Sequence, residues 1–226
     1  MSAYEQLLAR ARADPRVAGL ILTGSHARGL ATAHSDHDVL VVVDEYAEPW
    51  ATATRTPQLD TIPVTLAGLA DTSDRWQRYA FRGAQVLLDR RDGLVGRLVH
   101  AQATLTAAER GPRVREQLDG YLNFVYRAAK NRRDGHPDLA RLEQIEAAPW
   151  LLETLFALYG RIRPYNKYLR WELATHPLPE PWTADLLIGA ATGDPAVVLG
   201  PLERLARAEG FGDVLDGWDL TLMISR

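Results

Sequence analysis

Residues 22–29 read LTGSHARG, and residues 36–43 read DHDVLVVV. The apolar run Val17–Thr23 leads into the first stretch and predicts a strand buried on both faces. Gly24 permits a sharp turn at the end of that strand, and the N–H groups that follow Ser25 begin a helical turn able to bind an anion. The second stretch ends in an uninterrupted β-branched run, which predicts a second buried strand.

The turn between these strands is a candidate phosphate site formed by Gly24 and Ser25. Arg28 lies one turn further on and is expected to add positive charge. The spacing Gly24-x4-Gly29 resembles a P-loop, but Leu and Ala stand where that motif requires Lys and Ser or Thr. A P-loop is therefore excluded, and the turn is predicted to hold phosphate oxygens through its backbone and its serine hydroxyl.

Two carboxylates open the second strand. Asp36 and Asp38 are at i and i+2, so both project from the same face about 6–7 Å apart along the chain. Paired carboxylates suit two Mg²⁺ ions that also contact substrate phosphates. A third carboxylate is expected: Asp44 lies ~20 Å further along a continuous strand, whereas Asp60 opens another strand that sheet pairing can bring alongside. Asp60 is therefore the preferred third member.

The rest of the chain changes character near residue 94. Short strand candidates at 59–66 and 84–88 give way to segments rich in Ala, Leu, Arg and Glu, and Pro63 predicts an edge position or a bulge for the first of them. Strands followed by helices predict an α+β domain at residues 1–98 and a helical bundle at residues 99–226. The candidate helices of the bundle are 107–133, 139–162, 164–175, 183–191 and 194–209.

Composition excludes several classes of protein. The 226 residues contain no Cys, so disulfides, thiolate zinc sites, iron–sulfur clusters and Cys nucleophiles are ruled out. The net charge of −3 argues against nucleic acid as the main partner. No apolar run reaches the ~18–20 residues of a membrane span, and the N-terminus lacks the pattern of a signal peptide. These features predict a cytoplasmic protein without a membrane partner.

The motif formed by Gly24-Ser25, Asp36-x-Asp38 and a later acidic strand residue resembles the DNA polymerase β-like nucleotidyltransferase superfamily. The likeness is to its small bacterial branch, which includes aminoglycoside and lincosamide nucleotidyltransferases. It implies a nucleotidyltransferase fold, a mixed sheet flanked by helices, with a C-terminal helical bundle that closes the acceptor site. It also implies that Ser25 holds the triphosphate, that Asp36 and Asp38 ligate two Mg²⁺, and that Asp60 is the third ligand or a base.

The helical half supplies two further candidates. Lys167 is one of only two lysines among 26 basic residues and lies in an aromatic and polar cluster, where it is expected to meet the β- and γ-phosphates. Glu153 lies on an apolar helical stripe, and the resemblance makes it a candidate general base on the acceptor hydroxyl. Asp60 and Glu153 therefore both remain candidates for the base.

The function expected from these features is transfer of a nucleoside monophosphate from an NTP, expected to be ATP, to a hydroxyl group of a small molecule with release of pyrophosphate. Two alternatives remain: transfer of AMP to a protein hydroxyl, and a catalytically inactive, antitoxin-like protein that binds nucleotide and docks another protein. The sequence leaves the acceptor and the oligomeric state open.

Overall fold

The computed structural model describes residues 1–224, and the chain divides into two compact units, Met1–Thr104 and Leu105–Arg226. Within the described residues of the first unit, five strands form one mixed sheet in the order β3-β4-β2-β1-β5. The strands are β1 (Val17–Thr23), β2 (His37–Val43), β3 (Thr54–Arg55), β4 (Leu59–Thr65) and β5 (Gln85–Asp89). The pairs β1–β2, β1–β5 and β3–β4 are antiparallel, while β2 and β4 are parallel.

Helices cover both faces of this sheet because its central strands are apolar on both sides. The helices are α1 (Ala3–Ala13), α2 (Gly24–Ala27), α3 (Leu66–Ala70) and α4 (Leu94–Ala103), with a 3₁₀ turn at Arg78–Phe81. Leu7 of α1 packs in one core cluster with alternate β2 residues, and Val95 of α4 packs in a second cluster with the other alternate residues. The alternation follows from the two-residue repeat of a strand.

Helix α4 belongs to the sheet unit. Its Val95 and Val99 are buried in the same cluster as Leu40 and Val42 of β2. A Cβ at Gly19 of β1 would lie 2.8 Å from the Val95 side chain, so the helix approaches the strand closely there. The domain boundary expected between residues 98 and 99 would divide this helix, and the compact unit instead ends at Thr104.

The second unit is helical. A capping box of Thr106 and Glu109 begins α5 (Ala107–Arg133), and Gly135, at φ +84°, lies in the three-residue turn to α6 (Pro137–Leu158). The short turn makes the two helices an antiparallel pair. The remaining elements are α7 (Leu169–Thr175), α8 (Ala184–Thr192), α9 (Leu199–Ala208), α10 (Gly212–Asp216) and α11 (Leu220–Ile224), with 3₁₀ turns at Asn166–Tyr168 and Pro195–Val198.

The fold is thus α+β, with a mixed sheet flanked by helices followed by a helical bundle, as the sequence predicts. Among residues 1–224, no helix combines the length and the apolar composition needed to cross a membrane.

Candidate active site

A tight turn at Gly24 leads from the end of β1 into α2. Gly24 has a φ of +69°, and a Cβ placed on it would lie 1.9 Å from Asp38 Oδ2. The backbone therefore passes directly against this carboxylate, and any side chain at position 24 would displace it. Thr23 is paired with Asp38 across β1 and β2, which fixes the turn beside the carboxylate.

Sheet pairing brings the three predicted carboxylates together. Asp38 and Asp60 are direct partners in the parallel pair of β2 and β4, and Asp36 lies two residues before Asp38. One ligand oxygen from each of the three side chains lies within 4.8 Å of the others. Within residues 1–224, this is the one group of three or more potential His, Asp or Glu ligands that meets so closely.

Asp60 is the most deeply buried of the three, with 5% of its surface exposed. Its Oδ2 accepts a hydrogen bond from Arg55 Nε at 2.8 Å. Its Oδ1 is buried and has no hydrogen-bond partner among the described residues. Since a buried carboxylate oxygen is costly without a partner, this atom fits a site that is completed by a cation or by a substrate hydroxyl.

Pro63 lies within β4 without breaking it. The two residues of β3 pair with Asp60 and Thr61, so Pro63 lies beyond the reach of β3 and has β2 as its one neighbouring strand among the described residues. An edge position of this kind tolerates a residue that lacks an N–H donor. The proline therefore leaves the pairing of Asp60 with Asp38 intact.

Comparison with known proteins finds a family match over part of the chain. Residues 5–82 match the nucleotidyltransferase domain family. A nucleotidyltransferase-like protein from Exiguobacterium sibiricum has a solved structure that is 17% identical, with a TM-score of 0.47 over 94% of this chain and 77% of its own. No curated protein matches the chain.

Arg28 is bound within the sheet unit itself. This side chain is buried, and its guanidinium donates to the backbone carbonyls of Gly24 at 2.7 Å, Tyr79 at 3.0 Å and Ala80 at 3.2 Å, and also to that of Arg82. These bonds tie the turn at Gly24 to the 3₁₀ segment. The described contacts thus give Arg28 a positioning role, and its contribution to phosphate binding stays a prediction.

His37 occupies the opposite face of β2 from the carboxylates. Its ring stacks between Tyr4, at a centroid distance of 4.1 Å, and His26, at 3.7 Å. Burial lowers the pKa of His37, and the neighbouring His26 lowers it further. The neutral ring therefore packs between Tyr4 of α1 and His26 of α2, on the face of β2 opposite the carboxylates.

Glu153 and Lys167 lie in the helical unit. Glu153 Oε2 accepts a hydrogen bond from Arg113 Nη2 at 2.7 Å, and its Oε1 lies 4.0 Å from Arg163 Nη1. Both carboxylate oxygens of Glu153 thus lie near guanidinium groups. Lys167 is exposed, and its Nζ lies 4.8 Å from the centroid of the Tyr168 ring. No contact described here tests its proposed role toward phosphate.

Arg55 is the site residue that sequence reasoning missed. It lies on the two-residue strand β3 and reaches Asp60 although 84% of its own side chain is exposed. The segment around it is polar and short, so no periodic pattern marks it as a strand. Because the chain contains many arginines, the residue type alone does not mark Arg55 as part of a site either.

Proposed function

We propose that this protein transfers a nucleoside monophosphate from an NTP, expected to be ATP, to a hydroxyl group of a small-molecule acceptor and releases pyrophosphate. The observation that carries the proposal is the meeting of Asp36, Asp38 and Asp60 beside the turn at Gly24, with a buried oxygen of Asp60 left without a partner. The match to the nucleotidyltransferase domain family supports the reaction class.

The three carboxylates have the chemistry of a magnesium site, since Mg²⁺ prefers carboxylate oxygens together with substrate phosphates. Asp36 and Asp38 would hold two ions, and Asp60 would complete the ligand set. When bound, such ions offset the negative charge of the phosphates and favour the ionised form of a hydroxyl nucleophile.

The turn at Gly24 supplies the other half of the proposed site. Its backbone lies against Asp38 because position 24 has no side chain. Free N–H groups and the hydroxyl of Ser25 would bind phosphate oxygens there, next to the carboxylates. Arg28 would keep the turn in place through its bonds to backbone carbonyls.

Proton transfer is assigned to Asp60 in this proposal. The acceptor oxygen forms a bond to the α-phosphorus while the bond from that phosphorus to the β-phosphate oxygen breaks, and pyrophosphate leaves. The hydroxyl proton passes to Asp60 Oδ1, while the bond from Arg55 to Oδ2 holds the carboxylate in orientation. Glu153 is less suited to this task because both of its oxygens lie near guanidinium groups, whereas Asp60 keeps one oxygen without a partner.

The deciding experiment follows label from α-³²P-ATP in the presence of Mg²⁺, hydroxylated small molecules and lysate protein. We expect label on a small molecule and at least a ~100-fold loss in the double variant Asp36→Asn with Asp38→Asn. Asp92→Asn is the matched control, since this carboxylate lies in the loop after β5 and does not belong to the group of Asp36, Asp38 and Asp60. Label on a polypeptide would favour protein AMP transfer, and label on neither would favour a non-catalytic binding protein. Transfer that survives the double change would contradict the mechanism.

A further inference from the structure

The 3₁₀ segment that binds Arg28 is itself held by a second buried arginine. Arg78 is the first residue of this segment, and 1% of its surface is exposed. Its guanidinium donates to the backbone carbonyls of Gln102 at 3.0 Å and Ala101 at 3.2 Å, and also to that of Thr104. The segment is thus attached to the carboxyl end of α4.

The carboxyl end of a helix is a favourable place for such a cation. The last carbonyls of a helix have no partner in the α-helical pattern, and the helix dipole is negative there. Ala101 and Gln102 supply two of these carbonyls in α4. Because Val95 and Val99 bury α4 in the core of the sheet unit, the end of this helix is a fixed anchor for Arg78.

The carbonyls of the 3₁₀ segment bind Arg28. Tyr79, Ala80 and Arg82 all accept hydrogen bonds from this one guanidinium. Tyr79 also places the centroid of its ring 5.3 Å from the guanidinium carbon of Arg28. Since these residues directly follow Arg78 in the chain, the place of Arg78 sets the place of the carbonyls, and the carbonyls set the place of Arg28.

Arg28 in turn holds the turn at the end of β1. Its Nη1 donates to the carbonyl of Gly24 at 2.7 Å, and Gln85 Nε2 donates to the carbonyl of Ala27 at the other end of α2, also at 2.7 Å. The backbone at Gly24 lies directly against Asp38, since a Cβ there would lie 1.9 Å from Asp38 Oδ2. A displacement of the turn therefore changes the support of this carboxylate.

We propose that Arg78 is a positioning residue for the carboxylate site. It holds the 3₁₀ segment, the segment holds Arg28, and Arg28 holds the turn against Asp38. This role rests on the proposed function, in which Asp38 is a metal ligand. Because Arg78 acts through Arg28, its effect on the site depends on the presence of Arg28.

A purely structural role for Arg78 makes a different prediction. Loss of a helix cap lowers the free energy of unfolding wherever the helix lies, but it leaves the metal affinity of the folded molecules unchanged. Arg90 supplies the comparison because its guanidinium also binds backbone carbonyls, those of Arg12, Asp14 and Val17. These carbonyls lie at the opposite end of β1 from Gly24.

Mn²⁺ binding, followed by the free-ion signal in electron paramagnetic resonance, compares Arg28→Met, Arg78→Met and the double variant, with Arg90→Met as the control. We expect Arg28→Met to weaken Mn²⁺ binding by at least about tenfold and Arg78→Met to weaken it by about 3–10-fold. The double variant should lose no more affinity than Arg28→Met alone, since the two residues act in series. Arg90→Met should bind Mn²⁺ as the wild type does.

A second measurement needs no metal. In ¹H–¹⁵N spectra of the whole protein without ligand, Arg78→Met should shift the amide signals of Gly24 and Ser25, and Arg90→Met should leave them in place. The same spectra show whether each variant is folded. Where Arg78→Met does not fold, Arg78→Lys replaces it: the lysine keeps the charge but lacks the guanidinium fork that binds several carbonyls. We expect Arg78→Lys to lose about 2–3-fold in Mn²⁺ affinity, and to lose nothing further in the Arg28→Met background.

Two results would overturn the inference. One is an Mn²⁺ affinity and a Gly24 amide signal in the folded Arg78 variant that match those of Arg90→Met, and the other is a pair of losses that multiply in the double variant. Since these readouts need no transfer, a protein that shows the expected coupling but moves no label from ATP would refute the proposed function alone. A wild type that transfers label but shows no coupling between Arg28 and Arg78 would refute the inference alone, and a wild type that binds no Mn²⁺ would refute both.

Discussion

Substitution of Gly24 by Ala tests whether the turn and the carboxylates act as one site. A Cβ at this position would lie 1.9 Å from Asp38 Oδ2, and real Cβ contacts are hardly ever shorter than 3.0 Å. The carboxylate therefore has to retreat by about 1.1 Å, and a misplacement of about 1 Å in a catalytic arrangement costs on the order of 100-fold in rate. The left-handed φ of +69° adds a strain of about 1–2 kcal/mol for alanine.

Gly29→Ala separates these two effects. Gly29 has a φ of +70°, but a Cβ there would meet no atom within 4 Å. Both variants are expected to lose about 1–2 kcal/mol of unfolding free energy in urea. The loss of metal affinity should be confined to Gly24→Ala.

The assay that does not depend on the acceptor is Mn²⁺ binding, followed by the loss of the free-ion signal in electron paramagnetic resonance. We expect Gly24→Ala to weaken Mn²⁺ binding by about 10–100-fold and to reduce label transfer from ATP by about 100-fold. If Gly24→Ala binds Mn²⁺ and transfers label as Gly29→Ala does, the carboxylate of Asp38 is not held in place by the turn, and the reasoning is refuted.

Three further predictions concern stability. Gly120→Ala would place a Cβ 2.2 Å from the ring of Trp150, so it should cost about 1–3 kcal/mol of unfolding free energy in a urea titration. Arg113→Met removes the partner of the half-buried Glu153 and should cost about 1–3 kcal/mol, a value below that of a fully buried pair. Hydrogen bonds from Arg16 hold the pKa of Asp14 well below its usual range. The ionised form therefore stabilises the fold above pH ~4, and this contribution declines as the pH falls further. The urea midpoints of Asp14→Asn and of the wild type should therefore converge in acid.

Each of these predictions has an internal control. Gly111→Ala lies in the same helix with nothing within 4 Å of the added Cβ, and it should leave stability unchanged or raise it by up to about 1 kcal/mol. Equal destabilisation by the two glycine variants would refute close packing at Trp150. For the ion pair, a double-mutant cycle with Glu153→Gln that shows no coupling would contradict the contact. For Asp14, a stability difference that stays constant from pH 7 to pH 3 would contradict the linkage.

The sequence predicts several elements of both units because their signals are local. The run Val17–Thr23 is apolar except for its last residue and forms β1 with the predicted bounds. The helix at Ala107–Arg133 is likewise marked at its start by the pair Thr106 and Glu109. The strand β3 is missed because it has two exposed residues, and its existence depends on its partner β4 rather than on its own pattern.

Two prolines of the helical unit differ in their effect on the predicted helices. Pro149 lies inside the predicted helix 139–162, and α6 continues through it from Pro137 to Leu158. Ala147 and Leu151 on either side are completely buried, so the helix is held by its neighbours. Pro164 has the opposite outcome: it predicts the first turn of a helix at 164–175, but the 3₁₀ turn begins at Asn166 and α7 at Leu169.

The carboxylate cluster shows which part of the site is encoded locally and which part needs the fold. Asp36 and Asp38 share a face by spacing alone, but Asp60 joins them because β2 and β4 pair in a register that sets Asp38 opposite Asp60. A shift of that register by one residue would turn Asp60 to the other face of the sheet and bring Leu59 to the site. The apolar residues Leu59, Ile62 and Val64 do not alternate strictly, so they define this register weakly. The pairing is instead fixed by the parallel run of seven partners from His37–Leu59 to Val43–Thr65 and by Arg55 of β3, which binds Asp60 from the other side. The third carboxylate is thus a property of the sheet as a whole, and the residue that orients it lies on the strand that the sequence does not reveal.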